Sequence, residues 1–214
     1  MAEGLVVKGE EEDAGEIARG IRLKSWSRVP VKEVAIQRSF LDLIEACSIL
    51  RQRGVSFLCR IVGEEGEAGA AMRALIAREG LEEIVALLPP APQRALRGIY
   101  ADADIFTLPC RITASGDRDG IPNVLAEAMA MELPLVTTDV SGILELVSDG
   151  VNGMVVKPGD AAALAAALEE LILAPPAHRQ ALGRAARATI LEHFDSHKTT
   201  RALKALLDDR EDRF

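Results

Sequence analysis

Aromatic side chains are scarce in this sequence: one Trp, one Tyr and five Phe among 214 residues. Any core built from it must be packed mainly by aliphatic side chains. Cysteine is also sparse, and Cys47, Cys59 and Cys110 are widely spaced and odd in number. Such a set fits buried thiols in a reducing cytosol and argues against a disulfide frame or a zinc site. A basic excess is lacking too. The 25 Lys and Arg are outnumbered by 33 Asp and Glu, for a formal net charge of −8. A generic nucleic-acid partner is thereby excluded, because phosphate binding wants a basic face; a local basic pocket for one small anion is not. No apolar run approaches the roughly 18 residues that span a bilayer. The first 20 residues lack the basic start and apolar core of a signal peptide. These absences predict a cytoplasmic chain.

What the sequence does have is apolar content, 49% of its residues, which sets it apart from disordered compositions. Abundant alanine favours helices. Residues 1–23 hold an acidic cluster without a clear period and read as a poorly ordered or peripheral segment. "IRLKSW" offers a short strand, and "SRVPVKEVAIQRS" reads as a loop. From residue 39 the pattern sharpens. "SFLDLIEACSILRQRG" predicts a helix, with Ser39 as cap and Gly54 as stop. Strands are then predicted at "VSFLCRIVG", "EEIVALLP", "DIFTLPC", "PLVTTD" and "NGMVVKPGD". Helices are predicted at "EAGAAMRALIAREG", "PQRALRGIYADA" and "IPNVLAEAMAME", with a short turn at "GILELVSDG". Three helical stretches follow, near 160–173, 177–193 and 197–209.

Short apolar strands that alternate with helices predict a parallel sheet covered on both faces. The expected fold class is α/β, a single Rossmann-like doubly wound parallel sheet with C-terminal helices. The expected division is a Rossmann-like domain over 24–173 and C-terminal helices over 174–214, packed on that domain or on a missing partner domain. Ligands of such sheets bind outside the carboxyl ends of the strands. The loop at 110–120 is one of those places.

That loop feeds the helix at 121–132, where Pro122 is expected in the first helical turn. The free N–H groups there, from Ile121 through Asn123 and Val124, make an anion site, and Gly120 lets a ligand approach the backbone. Asn123, Glu127 and Ala130 share one helix face. Glu127 lies about 7.5 Å along the axis from Pro122. A carboxylate there can accept two hydroxyl hydrogens of a ribose whose phosphates sit at the helix start. Asp119 lies at the other end of those phosphates, where a sugar would be. On spacing alone a plainer reading stands beside this one: Asp119 as a turn residue or cap, Glu127 as a solvated glutamate.

"DRDGIPNVLAEAMAMELPLVTTDVSGILELVSDGVNGMVVKPGDAAALAAAL" resembles the carboxyl-terminal donor-binding domain of family-4, GT-B-fold retaining glycosyltransferases. The family's hallmark is an acidic residue, seven residues and a Glu, then an alanine-methionine helix and a Pro-Val-Val-type strand. Asp119 and Glu127 occupy the two acidic positions. The likeness extends upstream through "FLDLIEACSILRQRGVSFLCRIVG" and "YADADIFTLPC", and covers about residues 24–173. It implies one half of a GT-B fold that binds a UDP- or GDP-linked sugar and transfers the sugar with retention, without a metal or other cofactor. Glu127 would hold the ribose, Asp119 the donor sugar, and the helix start the diphosphate. An Arg and a Lys after the first strand neutralise that diphosphate in the family; "SRVPVKE" offers Arg28 and Lys32, with a solvated basic loop as the alternative.

Three departures stand out. The first acid is Asp and not the commoner Glu, the glycines beside Arg28 and Lys32 are missing, and "IRLKSW" is not a cleanly apolar first strand. The acceptor domain of a GT-B enzyme is not in this chain. That implies an acceptor domain or subunit elsewhere, with membrane proximity only through the acceptor. The competing expectation is a non-catalytic nucleotide-binding or protein-interaction module left from a truncated glycosyltransferase. Other motifs read as structural. Glu64, Glu65 and Glu67 would repel a pyrophosphate from the glycines of "IVGEEGEAG". Asp160 reads as an N-cap, and His178, His193 and His197 as surface residues. Arg111, Arg118 and Asp117 suit a substrate-facing loop, with a plain solvated connection as the alternative.

Overall fold

The computed structural model describes residues 21–26, 35–63, 68–111, 121–140 and 142–194. Among the described residues six strands, β1 (Ile21–Trp26), β2 (Phe57–Val62), β3 (Val85–Leu88), β4 (Ile105–Leu108), β5 (Leu135–Thr138) and β6 (Met154–Val156), alternate with helices. The helices are α1 (Ala35–Gln52), α2 (Gly69–Arg78), α3 (Gln93–Ala101), α4 (Asn123–Ala130), α5 (Ile143–Leu146), α6 (Ala161–Leu173) and α7 (Pro176–His193). The strands form one sheet in the order β3-β2-β1-β4-β5-β6, and every neighbouring pair is parallel. This is the doubly wound α/β architecture expected of the sequence.

The period of two along each strand divides the core between the faces of the sheet. On β4, Ile105 faces a cluster with Leu43, Ile44 and Leu50 of α1 and Leu164 and Leu168 of α6. Its neighbour Phe106 faces the opposite cluster with Leu96 of α3, Leu125 and Met129 of α4 and Ile143 of α5. Full burial of one such leucine contributes about 1.5–3 kcal/mol. α7 gives Leu182 to the first cluster and Ala186 to the second.

Two local expectations are corrected. α1 starts at Ala35, so Ser39 lies inside the helix and does not cap it, and part of the supposed loop "SRVPVKEVAIQRS" is helical. Nothing from Ala35 to Gln52 breaks a helix, so it runs until Gly54 turns it at φ 74°. "IRLKSW" is the central strand despite its basic residues. β1 pairs over its six residues with β2 and from Leu23 to Ser25 with β4. The sheet therefore takes in Ile21, ahead of residue 24, where the domain was expected to begin. Asp160 caps α6 as expected, its Oδ1 accepting the Ala163 N–H at 2.8 Å. The expected helix at 197–209 lies outside the described residues.

Chain order and sheet order reverse direction between β1 and β4. The crevice outside the carboxyl ends of these two strands is the topological switch point, where open α/β sheets bind ligands.

Candidate functional site

The chain leaving β4 at this crevice is held in place by its neighbours. The Thr137 hydroxyl donates to the Leu108 carbonyl at 2.9 Å. Thr138 does more: its Oγ1 accepts the Cys110 N–H at 2.8 Å and donates to the Cys110 carbonyl at 2.8 Å. A side chain of β5 thus continues the β4–β5 pairing past the end of the strand. One residue on, Arg111 donates from Nε to Asp42 Oδ2 at 2.5 Å and from Nη2 to Asp42 Oδ1. Asp42 is buried on α1, and Arg111 also packs over Gly159, where an added Cβ would meet its guanidinium carbon at 3.0 Å. The charge of Arg111 is thus paired with a buried carboxylate, while about a third of its side chain stays exposed.

α4 starts two residues later than expected. Pro122 is its N-cap, with φ −63° and ψ 122°, and not a first-turn residue. Its carbonyl accepts the Leu125 N–H at 2.9 Å. The N–H groups of Asn123 and Val124 precede that first bond and lie outside the helical ladder, where the helix dipole favours an anion. Ile121, half-buried, packs against Gly142 at the start of α5; a Cβ on Gly142 would come within 3.1 Å of Ile121 Cγ1. The loops after β4 and β5 thus meet beside the start of α4.

Glu127 sits one turn into α4 from Asn123. Asn123 is exposed, Glu127 and Ala130 are half-buried, and Val124, Leu125, Ala128 and Met129 are buried in the core. The face carrying Asn123 and Glu127 is thus the accessible one. Glu127 is not a merely solvated glutamate: its Oε2 accepts a hydrogen bond of 3.0 Å from the hydroxyl of buried Tyr100 on α3.

Of the residues singled out from sequence, the structure brings together Ile121, Asn123, Val124 and Glu127. Asp119, Gly120, Arg28 and Lys32 lie outside the described residues, as do Asp117, Arg118, Glu64, Glu65 and Glu67. Their segments connect to described ends: 27–34 follows β1 and 112–120 follows Arg111, beyond β4, and these two strands border the switch point. Cys47 and Cys59 are buried as expected, whereas Cys110 is half-buried. His178 and His193 are exposed, and His197 is outside the described residues. Sequence reasoning missed Tyr100, Asp42 and Thr138. Asp42 had one signal, a carboxylate inside the apolar period of α1, and Tyr100 had another, as the sole tyrosine.

A doubly wound parallel sheet with a carboxylate one turn into the helix at its switch point defines a Rossmann-like α/β domain. The chain belongs to the glycosyl transferases group 1 family, whose model matches residues 33–173. It is 41% identical over 165 residues to the amylovoran biosynthesis glycosyltransferase AmsK of Erwinia amylovora. That match takes in 77% of this chain, which spans only 40% of the length of AmsK. Among solved structures, that of Anabaena Alr3699/HepE in complex with UDP-glucose superposes with a TM-score of 0.74 at 22% identity, covering 90% of this chain and 50% of the other. The C-terminal domain of the group 1 glycosyl transferase LpcC from Francisella tularensis superposes with a TM-score of 0.65 at 17% identity, covering 83% of this chain and 86% of that domain. The two structural likenesses are likenesses of fold.

Proposed function

We propose that this chain is the donor-binding half of a glycosyltransferase. It holds a nucleotide-diphosphate sugar at the β1–β4 switch point and, with an acceptor domain that lies outside it, transfers the sugar with retention of configuration. The observation that carries the reading is the placement of Glu127: a carboxylate on the accessible face of α4, one turn below N–H groups outside the helical ladder. The diphosphate lies at those amides, with Arg28 and Lys32 neutralising the charge that develops on it. Glu127 takes the ribose hydroxyls and Asp119 orients the donor sugar. Positioning and stabilisation of the departing diphosphate supply most of the catalysis. The UDP-glucose in the HepE structure supports a UDP-linked donor, and GDP is the alternative.

A thermal-shift series with UDP, GDP and ADP tests the reading. A nucleotide at 100 times its dissociation constant adds about 2.7 kcal/mol, which for a domain of this size raises Tm by roughly 5–10 °C. Glu127→Ala removes charged hydrogen bonds worth about 1.5–3 kcal/mol, so most of that rise should vanish. An unchanged Tm with all three nucleotides, or an equal rise in the variant, overturns the assignment.

One observation favours a second reading, a nucleotide-binding or interaction module without activity: the glycines that accompany the diphosphate-neutralising Arg and Lys in the resembled family are missing beside Arg28 and Lys32. Co-expression with a candidate acceptor half separates the two. Sugar transfer that depends on Asp119 supports the enzyme, and nucleotide binding without transfer supports the module.

A further inference from the structure

We infer that Tyr100 is a positioning residue for Glu127 and sets the selectivity of the site for a ribose over a sugar without its hydroxyls. This rests on the reading of Glu127 as the ribose-binding carboxylate. Tyr100 belongs to the last turn of α3 and is 3% exposed. Its ring is fixed in the core, 6.1 Å from the Phe106 ring of β4 between centroids, at 52°. From there the hydroxyl reaches α4, 3.0 Å from Glu127 Oε2 and 3.5 Å from the Val124 carbonyl. The shorter contact, to a carboxylate, is the stronger one.

The direction of this contact decides what it does. A helical side chain leans back toward the amino end of its own helix. The Glu127 carboxylate accordingly lies beside the first turn of α4, where the Val124 carbonyl is. A half-buried glutamate left to itself samples several rotamers, and fixing it when a ligand arrives costs up to about 2 kcal/mol. Tyr100 imposes that order beforehand, from the core side, through a rigid ring. A carboxylate has about four acceptor sites, so one tyrosine hydroxyl does not exhaust it. The result is a diol acceptor organised before binding, which raises affinity by lowering the ordering cost.

The test compares binding of UDP and of 2′,3′-dideoxy-UDP to the full chain and to Tyr100→Phe, Glu127→Ala and the double variant, by calorimetry. Tyr100→Phe keeps the ring packing, so its Tm should stay within a few degrees of the parent. The expected result is about tenfold weaker UDP binding in Tyr100→Phe, no change for the dideoxy nucleotide, and no further loss when Tyr100→Phe is added to Glu127→Ala. Equal weakening of both nucleotides, or losses that add in the double variant, would mark Tyr100 as packing alone and overturn the inference. If Glu127→Ala weakens UDP but Tyr100→Phe does not, the inference fails while the donor site stands. If Glu127→Ala leaves UDP binding unchanged, the donor-site reading itself falls. Where Tyr100→Phe lowers Tm strongly, the comparison is made at a temperature well below that variant's Tm, and equal weakening of both nucleotides there still overturns the inference.

Discussion

Arg111, just beyond the end of β4, grips both carboxylate oxygens of Asp42, a residue of α1 that is 4% exposed. The pair ties the residue that follows β4 and Cys110 to the first described helix of the domain. In Arg111→Ala, Asp42 would be left as a buried charge without its guanidinium. Removing one partner of a buried pair costs about 3–5 kcal/mol. The lower end applies here, because Arg111 is one-third exposed and partly screened. A chemical-denaturation midpoint unchanged from the parent would refute this account.

Thr138→Val removes both side-chain bonds to the Cys110 backbone while keeping volume. Each is worth about 0.5–1.5 kcal/mol. The expected outcome is a loss of about 1–3 kcal/mol and faster amide exchange at Cys110, seen by NMR. Exchange there at the parent rate would show that the loop is held by other means.

Two glycines make an opposed pair. A Cβ on Gly183 of α7 would stand 1.9 Å from the carbonyl oxygen of Glu132. Glu132 is itself in the left-handed region at φ 58° and is a poor candidate for moving aside. Gly183→Ala should lose roughly 3 kcal/mol, a cost of overpacking larger than the gain in helix propensity. Gly98, exposed on α3, has nothing within 4 Å of its added Cβ. Gly98→Ala should gain about 0.5–1 kcal/mol. Urea denaturation of the two variants side by side reads the contrast, and equal effects would contradict it.

The three thiols should differ in reactivity. Cys110 is half-buried, while Cys47 and Cys59 are buried. A hydrogen bond with Cys59, and then burial, push the Cys47 thiol well above the ordinary thiol range. The thiolate is the reactive form, so a thiol reagent should modify one cysteine quickly and the other two only on unfolding. The linkage has a definite sign. Folded Cys47 keeps a proton that the unfolded chain releases, so its contribution is present below the ordinary thiol range and is lost as pH rises above it. Stability should fall more steeply with alkaline pH in the parent than in Cys47→Ala, as judged by Tm from pH 7 upward.

The element pattern was largely legible in the sequence because it rests on local signals. Apolar runs marked the strands from "VSFLCRIVG" onward, and Gly54 and Asp160 marked helix ends. β1 was harder: Arg22 and Lys24 interrupt its apolar run, yet parallel pairing is made by the backbone and tolerates them. Ser39 misled because a good capping residue can also sit inside a helix. At the candidate site, Glu127 is singled out by its spacing to Asp119 and the helix start together with the family resemblance, signals that lie close together in sequence. Its partner Tyr100 comes from a different helix, and Asp42 and Arg111 are joined across the sheet. No periodicity encodes such pairs; they exist only once the strands have taken their order.

That order carries a kinetic consequence. The first described strand, β1, is an inner strand of the sheet, so Leu23 aligns with Cys59 on one side and must wait for Ile105 on the other. Closing a loop of that length is slow, and contacts distant in sequence delay folding. During synthesis β1, β2 and β3 are complete well before β4 leaves the ribosome, with one flank of β1 still open. The crevice between β1 and β4 would then open only once β4 has emerged, ahead of β5, β6 and the packing of α6 on α1.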